Sequence, residues 1–414
     1  MGKDRQAGTG VSSGEVWDRL EELVREQAQA FVQRILEEEV TEYLGRRKSE
    51  RKAEVDGVVG YRNGYGKPRR LAMSSGTITL RRPRVRGLEE RFESRVLPLF
   101  ARRTKEIGAL LPELYLHGLA EGDFELAFRG LLGEGAPLSK ASIRRLRQGW
   151  NGEFEAWSRR PLGDREVVYL WADGVYVKAG LEKDKAALLV VMGALSDGTK
   201  ELLAVVPGYR ESTESWGAVF RDLKARGIQP PKLILADGLS GIWAAAREVW
   251  PESREQRCWN HKMRNVLDRL PKREQAAGRD LLRKIVYAPG REEAMAARRA
   301  FEKRFEPWYP KAVEILGDDW DRMVTFYDFP EQHWRHLRTT NVVESPFASV
   351  RLRTTAAKRF KRVDSATTLI WKLLTVAERR FRKLNAPHLL RQVADGHIFR
   401  DGKPVPTAHG RAAA

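Results

Sequence analysis

Two aspartates in this sequence stand in the same local setting. Asp173 and Asp237 each follow an apolar stretch typical of a strand, and each lies in the tripeptide Ala-Asp-Gly. Adjacent strand ends would bring the two carboxylates so close that one takes up a proton unless a cation lies between them. Hard oxygen ligands of this kind suit Mg²⁺ or Mn²⁺. An Asp-Gly pair can also simply form a turn, but two of them ending strands of one α/β unit favour a metal site.

The elements that must position these carboxylates follow from residue 166 onward. Strands are predicted at residues 167–172, 186–195, 201–206 and 232–236, with a short strand leading to Cys258, and helices at residues 215–226 and 242–250. The first three strands are separated by short turns, which makes them antiparallel neighbours. Three antiparallel strands followed by helix, strand, helix and strand is the order of a ribonuclease H-like domain.

The rest of the C-terminal half is predicted to be helical. Residues 261–334 show amphipathic helical spacing without a strand pattern, so they are interpreted as an all-helical insertion. Near Asn341 the chain returns to the core, and residues 366–384 are predicted to form one long basic helix.

The charge of the chain points to a polyanionic partner. Lys and Arg number 75 against 56 acidic residues, giving a formal net charge of +19, and nucleic acid is the commonest partner for such a balance. Ribosomal or membrane-surface proteins are the alternatives, but they are usually short or carry an amphipathic anchor.

The sequence contains no apolar run as long as a membrane span and no apolar core of a secretory signal at its start. With one cysteine, Cys258, no internal disulfide forms, and we expect a cytoplasmic, nucleoid-associated protein without membrane contact.

The N-terminal region combines a helix with a basic extended segment. Residues 1–13 are expected to be disordered. The apolar residues that follow recur every three or four positions and predict a helix whose apolar face packs against this chain or a second copy: Trp17, Leu20, Val24, Ala28, Phe31 and Ile35. Residues 77–86 are interpreted as one basic strand, which Pro83 confines to a sheet edge. A solvated charged face is one interpretation of the basic residues here, and a surface that follows phosphates is the other. The candidate DNA contacts are Arg62, Lys67, Arg69, Arg70, Arg81, Arg82 and Arg84.

A helix-turn-helix is predicted next. Residues 123–132 form its first helix, residues 133–137 the turn, and Ser139 the N-cap of the second helix. In that second helix Ile143, Leu146 and Trp150 make an inner stripe, while Arg144, Arg145 and Arg147 face elsewhere and are candidate DNA contacts. Many helical hairpins share this pattern.

These predictions give a multidomain α/β protein. The expected segments are a disordered N-terminus (1–13), a helix plus basic extended DNA-binding region (14–102), a helix-turn-helix region (103–160), a ribonuclease H-like mixed-sheet core (161–260 and 335–400), a helical insertion (261–334) and a flexible tail (401–414).

A long motif with fixed spacing begins at Asp237. It reads Asp-x-x-x-Gly-Ile, six residues, then Val-Trp-Pro-x-Ser-x-x-Gln-x-Cys-x-x-His, ending at His261. It resembles the signature of the Mutator-like family of bacterial insertion-sequence transposases. The block from His333 to Glu344 resembles the same family's third-carboxylate segment, and the stretch from Tyr61 to Arg84 its N-terminal region. The resemblance spans about residues 15 to 390.

The resemblance implies a catalytic triad of Asp173, Asp237 and Glu344 that binds two Mg²⁺ or Mn²⁺ ions. It also implies a helical insertion between Asp237 and Glu344, in agreement with the helical spacing found there. Pro346 departs from the family pattern: if Ser345 is an N-cap, Pro346 occupies the first helical position, and Glu344 lies just before a helix.

Four further residues are candidates for supporting roles. Cys258 and His261 could suggest zinc, but a structural zinc site needs about four ligands, and no second Cys/His pair has suitable spacing. No zinc is therefore expected, and the resemblance gives this pair a supporting role beside the catalytic pocket. Arg338 and Asn341 are candidate polar helpers of Glu344, with capping of that turn as an equal alternative. Arg351 and Arg353, which follow Glu344, are further candidate DNA contacts.

The sequence as a whole predicts a transposase. Its partners are expected to be double-stranded DNA, namely the terminal inverted repeats of its element and a target duplex, and further copies of itself in a homodimer or larger assembly. Serine or tyrosine recombination would need an activated nucleophile, and no Ser or Tyr has that setting. The alternatives are a structure-specific nuclease of the same fold and a non-catalytic regulator derived from a transposase.

Overall fold

The computed structural model describes residues 13–50, 60–88, 92–97, 103–116, 119, 124–132, 140–179, 186–208, 212–238, 240–357 and 360–406. The chain divides into two units, residues 1–146 and 147–414. The expected disordered N-terminus lies outside the described residues except for Ser13, and so do residues 407–414 of the tail, the turn at residues 133–137 and the proposed N-cap Ser139.

The first unit combines helices with two small antiparallel sheets. Its elements are α1 (Ser13–Leu44), β1 (Tyr61–Tyr65), β2 (Arg69–Met73), β3 (Gly76–Leu80), β4 (Pro83–Arg86), α2 (Lys105–Leu116) and α3 (Phe124–Leu132), and α4 (Lys140–Ser158) begins in it. β1 pairs with β4, and β2 pairs with β3. The single strand predicted at residues 77–86 is therefore wrong, because the chain changes partner sheet between Leu80 and Pro83. Pro83 opens β4 in a two-stranded sheet, so its confinement to an edge is confirmed.

Helix α1 packs on β3 through its C-terminal half. Leu36 joins Ile78 and Leu80 in a small apolar core. Two glutamines one turn apart on α1 also bond the free edge of the strand: Thr79 N donates to Gln29 Oε1 at 2.8 Å, and Arg81 N donates to Gln33 Oε1 at 2.9 Å. These bonds satisfy backbone groups that an edge strand otherwise leaves open.

The predicted apolar face of α1 is exposed over most of its length. Trp17 is 62% exposed and Phe31 54% exposed, with Leu20 and Val24 between them also exposed. The described residues therefore leave most of this stripe uncovered, although Ala28 and Ile35 are half-buried. Its packing against a second copy stays a prediction.

The second unit contains the main sheet and the remaining helices. Its elements are β5 (Val167–Val177), β6 (Ala186–Leu195), β7 (Lys200–Gly208), α5 (Thr213–Ala225), β8 (Leu233–Ala236), α6 (Ser240–Val249), β9 (Arg254–Arg257), α7 (Trp259–Leu267), α8 (Lys272–Val286), α9 (Arg291–Phe305), α10 (Pro310–Gly317), α11 (Trp320–Met323), α12 (Trp334–Leu337), α13 (Asn341–Glu344), α14 (Phe347–Ala357), α15 (Val363–Glu378), α16 (Pro387–Ala394), β10 (Phe399–Arg400) and β11 (Lys403–Pro404). Two 3₁₀ turns, Thr325–Asp328 and Glu331–His333, lie between α11 and α12.

Five strands form one mixed sheet in the order β7-β6-β5-β8-β9. β5, β6 and β7 are antiparallel neighbours, as predicted, while β8 runs parallel to β5 and β9 parallel to β8. All four residues of β8 are buried, as expected of a parallel strand covered on both faces. One face is covered by α5 and α6, where Phe220 of α5 and Trp250, the residue after α6, have ring centroids 5.3 Å apart. Aromatic side chains of this size dominate the energetics of a core.

The stretch between β9 and α13 is helical throughout. It holds α7 to α12 and the two 3₁₀ turns, and no strand occurs within residues 258–344, all of which are described. The prediction of helical structure here is confirmed.

The long basic helix predicted at residues 366–384 is wrong in length and character. α15 ends at Glu378, and Ile370, Leu373 and Leu374 lie on its buried side. The cationic residues that extended the prediction follow its end, where Leu384 N bonds Gly198 O at 2.8 Å. Among the described residues, no helix has both the length and the apolar character needed to cross a bilayer.

Candidate active site

Asp173 lies on β5, and Asp237 directly follows β8, the parallel neighbour of β5. β5 pairs with β8 as far as Trp171 opposite Leu235, so each aspartate follows the last position of this pairing in its own strand by two residues. Paired strands run about 4.8 Å apart. The sheet therefore brings these two carboxylates close enough to interact, at the carboxyl end of the interior strand β8.

The two aspartates differ in local setting, although their tripeptides are identical. Asp173 lies within β5, paired with Val190 of β6, and the strand continues to Val177. Asp173 is 9% exposed, and its Oδ1 accepts a hydrogen bond from Gly174 N at 2.8 Å. The prediction that Asp173 ends a strand is wrong, because pairing with β6 carries β5 past it. The same prediction is confirmed for Asp237, which directly follows β8.

Gly238 explains the second Asp-Gly pair. Its φ of +99° lies in the region that side chains rarely adopt, and a Cβ there would come 2.1 Å from Arg257 Nε. The chain thus turns sharply after Asp237, and the Arg257 side chain crosses the turn to bond Asp319 Oδ2 at 2.9 Å. Only glycine permits both features.

Glu344 is the last residue of the short helix α13. Its carboxylate accepts a hydrogen bond from the Thr340 hydroxyl, one turn earlier. Ser345 has helical angles (φ −57°, ψ −46°), so the proposed N-cap at Ser345 is wrong, and Pro346 does not start a helix. Because Pro346 has no backbone N–H, it cannot extend α13. The helix therefore ends before it, and α14 begins at Phe347.

The Asp173 carboxyl interacts with the charges of both Glu344 and Asp237. Burial, followed by the neighbouring Glu344 and Asp237 charges, raises the pKa of Asp173 to about 7, although the Gly174 hydrogen bond lowers it. A buried carboxyl with two acidic neighbours retains a proton near neutral pH unless a cation compensates the charges. Carboxylate oxygens are ligands that suit Mg²⁺ or Mn²⁺, whereas the possible ligand atoms that lie within 4.8 Å of one another among the described residues belong to Cys258, His261 and Glu344.

Cys258 and His261 lie against Glu344. His261 Nδ1 is 3.8 Å from Glu344 Oε1, and one potential ligand atom from each of Cys258, His261 and Glu344 falls within 4.8 Å of the others. Interaction with Cys258, and then the charges of Glu344 and Asp173, raise the pKa of His261 to about 9 against the effect of burial. Among the described residues this donor group has three members, one fewer than a structural zinc site uses.

Arg338 and Asn341 do not contact the Glu344 carboxylate in the described structure. The Arg338 guanidinium lies between aromatic rings, 5.2 Å from the centroid of Tyr287 and 5.3 Å from that of Trp334. Asn341 Oδ1 accepts a hydrogen bond from Asn260 Nδ2 at 3.0 Å. Sequence reasoning missed Thr340, whose signal was its position four residues before Glu344, which is one helical turn.

The predicted DNA contacts of the first unit fall into three groups. Arg62 is held by Glu37 Oε2 at 3.0 Å and Thr41 Oγ1 at 2.6 Å, so its guanidinium ties β1 to α1. The second group lines one cavity of about 420 Å³ beside Phe92: Lys67, Arg69, Arg82 and Arg84. Arg70 and Arg81 are exposed, as is Arg145 at the end of the unit.

The remaining candidates are less uniform. Arg147 is half-buried, and the side chain of Arg144 lies outside the described residues. Arg351 is exposed on α14, whereas Arg353 is only 4% exposed. Arg353 therefore does not present its guanidinium to a surface in this structure.

Comparison with known proteins identifies the family. The profile described as "Transposase, Mutator family" matches residues 7–383. A transposase for insertion sequence element IS6120 from Mycolicibacterium smegmatis is 45% identical over 294 residues, covering 71% of this chain and 91% of the relative. A transposase for element IST2 from Acidithiobacillus ferrooxidans is 41% identical over 277 residues, covering 66% and 94%. One for element ISRM5 from Rhizobium meliloti is 30% identical over 375 residues, covering 89% and 90%. The chain belongs to the Mutator family of transposases.

Proposed function

We propose that this protein binds the ends of the DNA element that encodes it and catalyses metal-dependent strand cleavage and strand transfer. The observation that carries the proposal is the placement of Asp173 on β5 and of Asp237 directly after the neighbouring strand β8, with Glu344 close enough to interact with Asp173. The names of the relatives, all transposases of insertion sequences, support the same substrate.

A ribonuclease H-like core is the fold we propose for the catalytic part. The sheet order, with three antiparallel strands followed by two parallel ones, supports it. The helical stretch between Asp237 and Glu344 is then an insertion into that core. After the insertion the chain returns to the sheet, where Glu344 supplies the third carboxylate.

The triad residues are proposed to bind two divalent cations, Mg²⁺ or Mn²⁺. Bound ions of this kind activate an attacking oxygen and stabilise a leaving oxygen in phosphodiester chemistry. The protein's part is to fix the ligands: β5 and β8 hold the two aspartates, and Thr340 orients Glu344. Cys258 packs beneath Thr340, with its Sγ 3.2 Å from Thr340 Oγ1, and acts as a support rather than a ligand.

The partners follow from this reaction. The net charge of +19 and the basic cavity of the first unit suit the phosphates of the element's ends and of a target duplex. Two ends must be joined in one complex, so a homodimer or larger assembly is proposed. The site of action would be the nucleoid.

The direct test is incubation of the purified protein with duplexes that carry its own element ends, with Mg²⁺, followed by separation of the strand products. We expect cleavage at the end of the element and products joined to a target strand. Cleavage without joined products would instead indicate a nuclease, and binding without cleavage a regulator.

A further inference from the structure

A basic cavity of about 600 Å³ opens beside Glu344. It lies between α7, α8 and the segment that leads into α13, entirely within the second unit. Five guanidinium groups line it, those of Arg264, Arg279, Arg283, Arg335 and Arg338, and two carboxylates, those of Asp268 and Glu344. The cavity thus borders the candidate active site at Glu344 and carries an excess of positive charge.

The five arginines have no ion-pair partners within the described residues. Other arginines of the same helical stretch are paired: Arg291 with Asp328 at 2.9 Å, and Arg298 with Glu302 at 2.7 Å. Arginines grouped around one cavity repel each other, so their grouping does not stabilise the fold by itself. The grouping therefore suits an anion that is bound from outside.

Helix α8 presents part of this charge in a row. Arg279 and Arg283 are one turn apart and exposed, and the exposed Tyr287 follows one turn later as the C-cap. Side chains four residues apart lie about 6 Å from each other on a helix. Arg338 lies against the same Tyr287 and against Trp334, and its buried Nε has no hydrogen-bond partner among the described residues.

We propose that this cavity binds the DNA backbone next to the phosphodiester that the carboxylates hold, with Arg279, Arg283 and Arg338 contacting consecutive phosphates. The inference rests on the proposed function, because it takes the substrate of that site as given. A DNA strand fits better than a single small anion, since its charges repeat along the chain as the guanidinium groups repeat around the cavity. Guanidinium also matches phosphate by paired N–H donors.

The role of Arg338 changes accordingly. Its guanidinium points among aromatic rings toward the cavity and does not orient Glu344. It is a substrate-binding residue in this proposal, and α8 becomes the part of the helical stretch that positions DNA.

The test is a double-mutant cycle between protein and DNA. The protein change is Arg279→Ala with Arg283→Ala. The DNA change replaces, one at a time, the phosphates flanking the scissile position of the element end by uncharged methylphosphonates. Binding is measured without Mg²⁺, so that no strand is cut. Arg273→Ala with Lys284→Ala is the matched control, since these exposed residues of α8 carry the same charge but do not line the cavity.

We expect the cavity variant to bind an unmodified end about tenfold or more weakly, with the log–log salt slope reduced by roughly 0.9 for each lost contact. Methylphosphonates at one or two flanking positions should weaken binding of the wild type and control but have little further effect on the cavity variant. Additive effects at every position would overturn the assignment. Because the readout is binding, a protein that binds ends but never cuts them contradicts the proposed function alone.

Discussion

Thr340 and Glu344 lie one helical turn apart, and the Thr340 hydroxyl donates a hydrogen bond to the Glu344 carboxylate. The same hydroxyl oxygen is 3.2 Å from Cys258 Sγ, and Thr340 N lies 3.3 Å from that sulfur. One hydroxyl hydrogen serves one acceptor, and the carboxylate is the stronger one. Cys258 therefore contacts Thr340, which in turn bonds Glu344, and we propose that the buried thiol helps to position the carboxylate through Thr340.

Removal of this hydroxyl tests the chain of contacts. Thr340→Val keeps the side-chain shape but frees the Glu344 carboxylate, so we expect strand cleavage to fall about tenfold or more while DNA binding is unchanged. Thr367→Val is the control, because Thr367 is also buried and bonds Val363 O at 3.0 Å within α15. Both changes should cost about 1 kcal/mol of stability. Equal loss of cleavage in both variants would show that stability alone is measured.

Cys258 is predicted to be a packing residue. Cys258→Ser places a more polar, smaller group in a site that is 0% exposed, so we expect modest loss of stability and activity and no change in metal content. Metal analysis of purified protein checks this. Stoichiometric zinc in the wild type that disappears in the variant would make Cys258 a ligand.

The basic residues of the first unit are expected to include some that contact DNA and others that stabilise the fold. Lys67→Ala with Arg84→Ala removes exposed charges from the small basic cavity, so DNA binding should weaken for all sequences and its salt slope should fall by about 0.9 for each lost phosphate contact. Arg62→Ala removes the hydrogen bonds to Glu37 and Thr41, so its main effect should be a lower melting temperature. A salt slope unchanged in the first variant would remove this cavity from the DNA-binding surface.

His333 should make the folded protein sensitive to acid. Its Nδ1 is 2.8 Å from the Tyr169 hydroxyl and its Nε2 is 3.2 Å from Ala386 O. Burial lowers the pKa of His333 to about 4 from an ordinary 6.5. Between these values the unfolded chain binds the proton and the folded chain does not, so stability is full above about pH 6.5 and falls as the pH drops toward 4, by at most about 1.4 kcal/mol per pH unit.

Denaturant unfolding at several pH values measures this dependence. His333→Gln should be less stable at neutral pH but should lose less stability between pH 6.5 and 4 than the wild type. His397→Gln, at an exposed site, is the control and should retain the wild-type slope. The same slope in all three proteins would mean that His333 is not the group responsible.

Several elements could be predicted from the sequence because their signals are local. The bounds of β6 follow from a continuous apolar run that ends at the turn Ser196-Asp197-Gly198. The convergence of Asp173 and Asp237 follows from two apolar strands of one sheet. The extension of β5 beyond Asp173 could not be predicted, because it depends on pairing with β6, a contact that the residues after Asp173 do not encode by themselves.

Other features required the tertiary structure. The basic cavity combines arginines of α7, α8 and the segment before α13, and nothing in their spacing along the chain brings them together. The proximity of Arg338 to Glu344 in the sequence predicts a helper of that carboxylate, yet the rings of Tyr287, Phe326 and Trp334 surround its guanidinium instead. The cationic residues after Glu378 are common in helices and therefore predict a longer helix than α15, which ends at Glu378.

The measurement that tests the central claim most directly compares Asp173→Asn, Asp237→Asn and Glu344→Gln with the wild type for three properties: binding of element ends, strand cleavage in Mg²⁺, and melting temperature with and without Mg²⁺. Each change keeps the size of the side chain but removes the charge that holds a cation. We expect folded variants that bind ends normally and cut none, with a melting temperature that Mg²⁺ no longer raises. In the absence of metal, Asp173→Asn should melt at or above the wild type, because it relieves repulsion from Glu344 and Asp237. Cleavage near the wild-type rate in any one variant would show that its residue is not a metal ligand, and in all three it would contradict the mechanism.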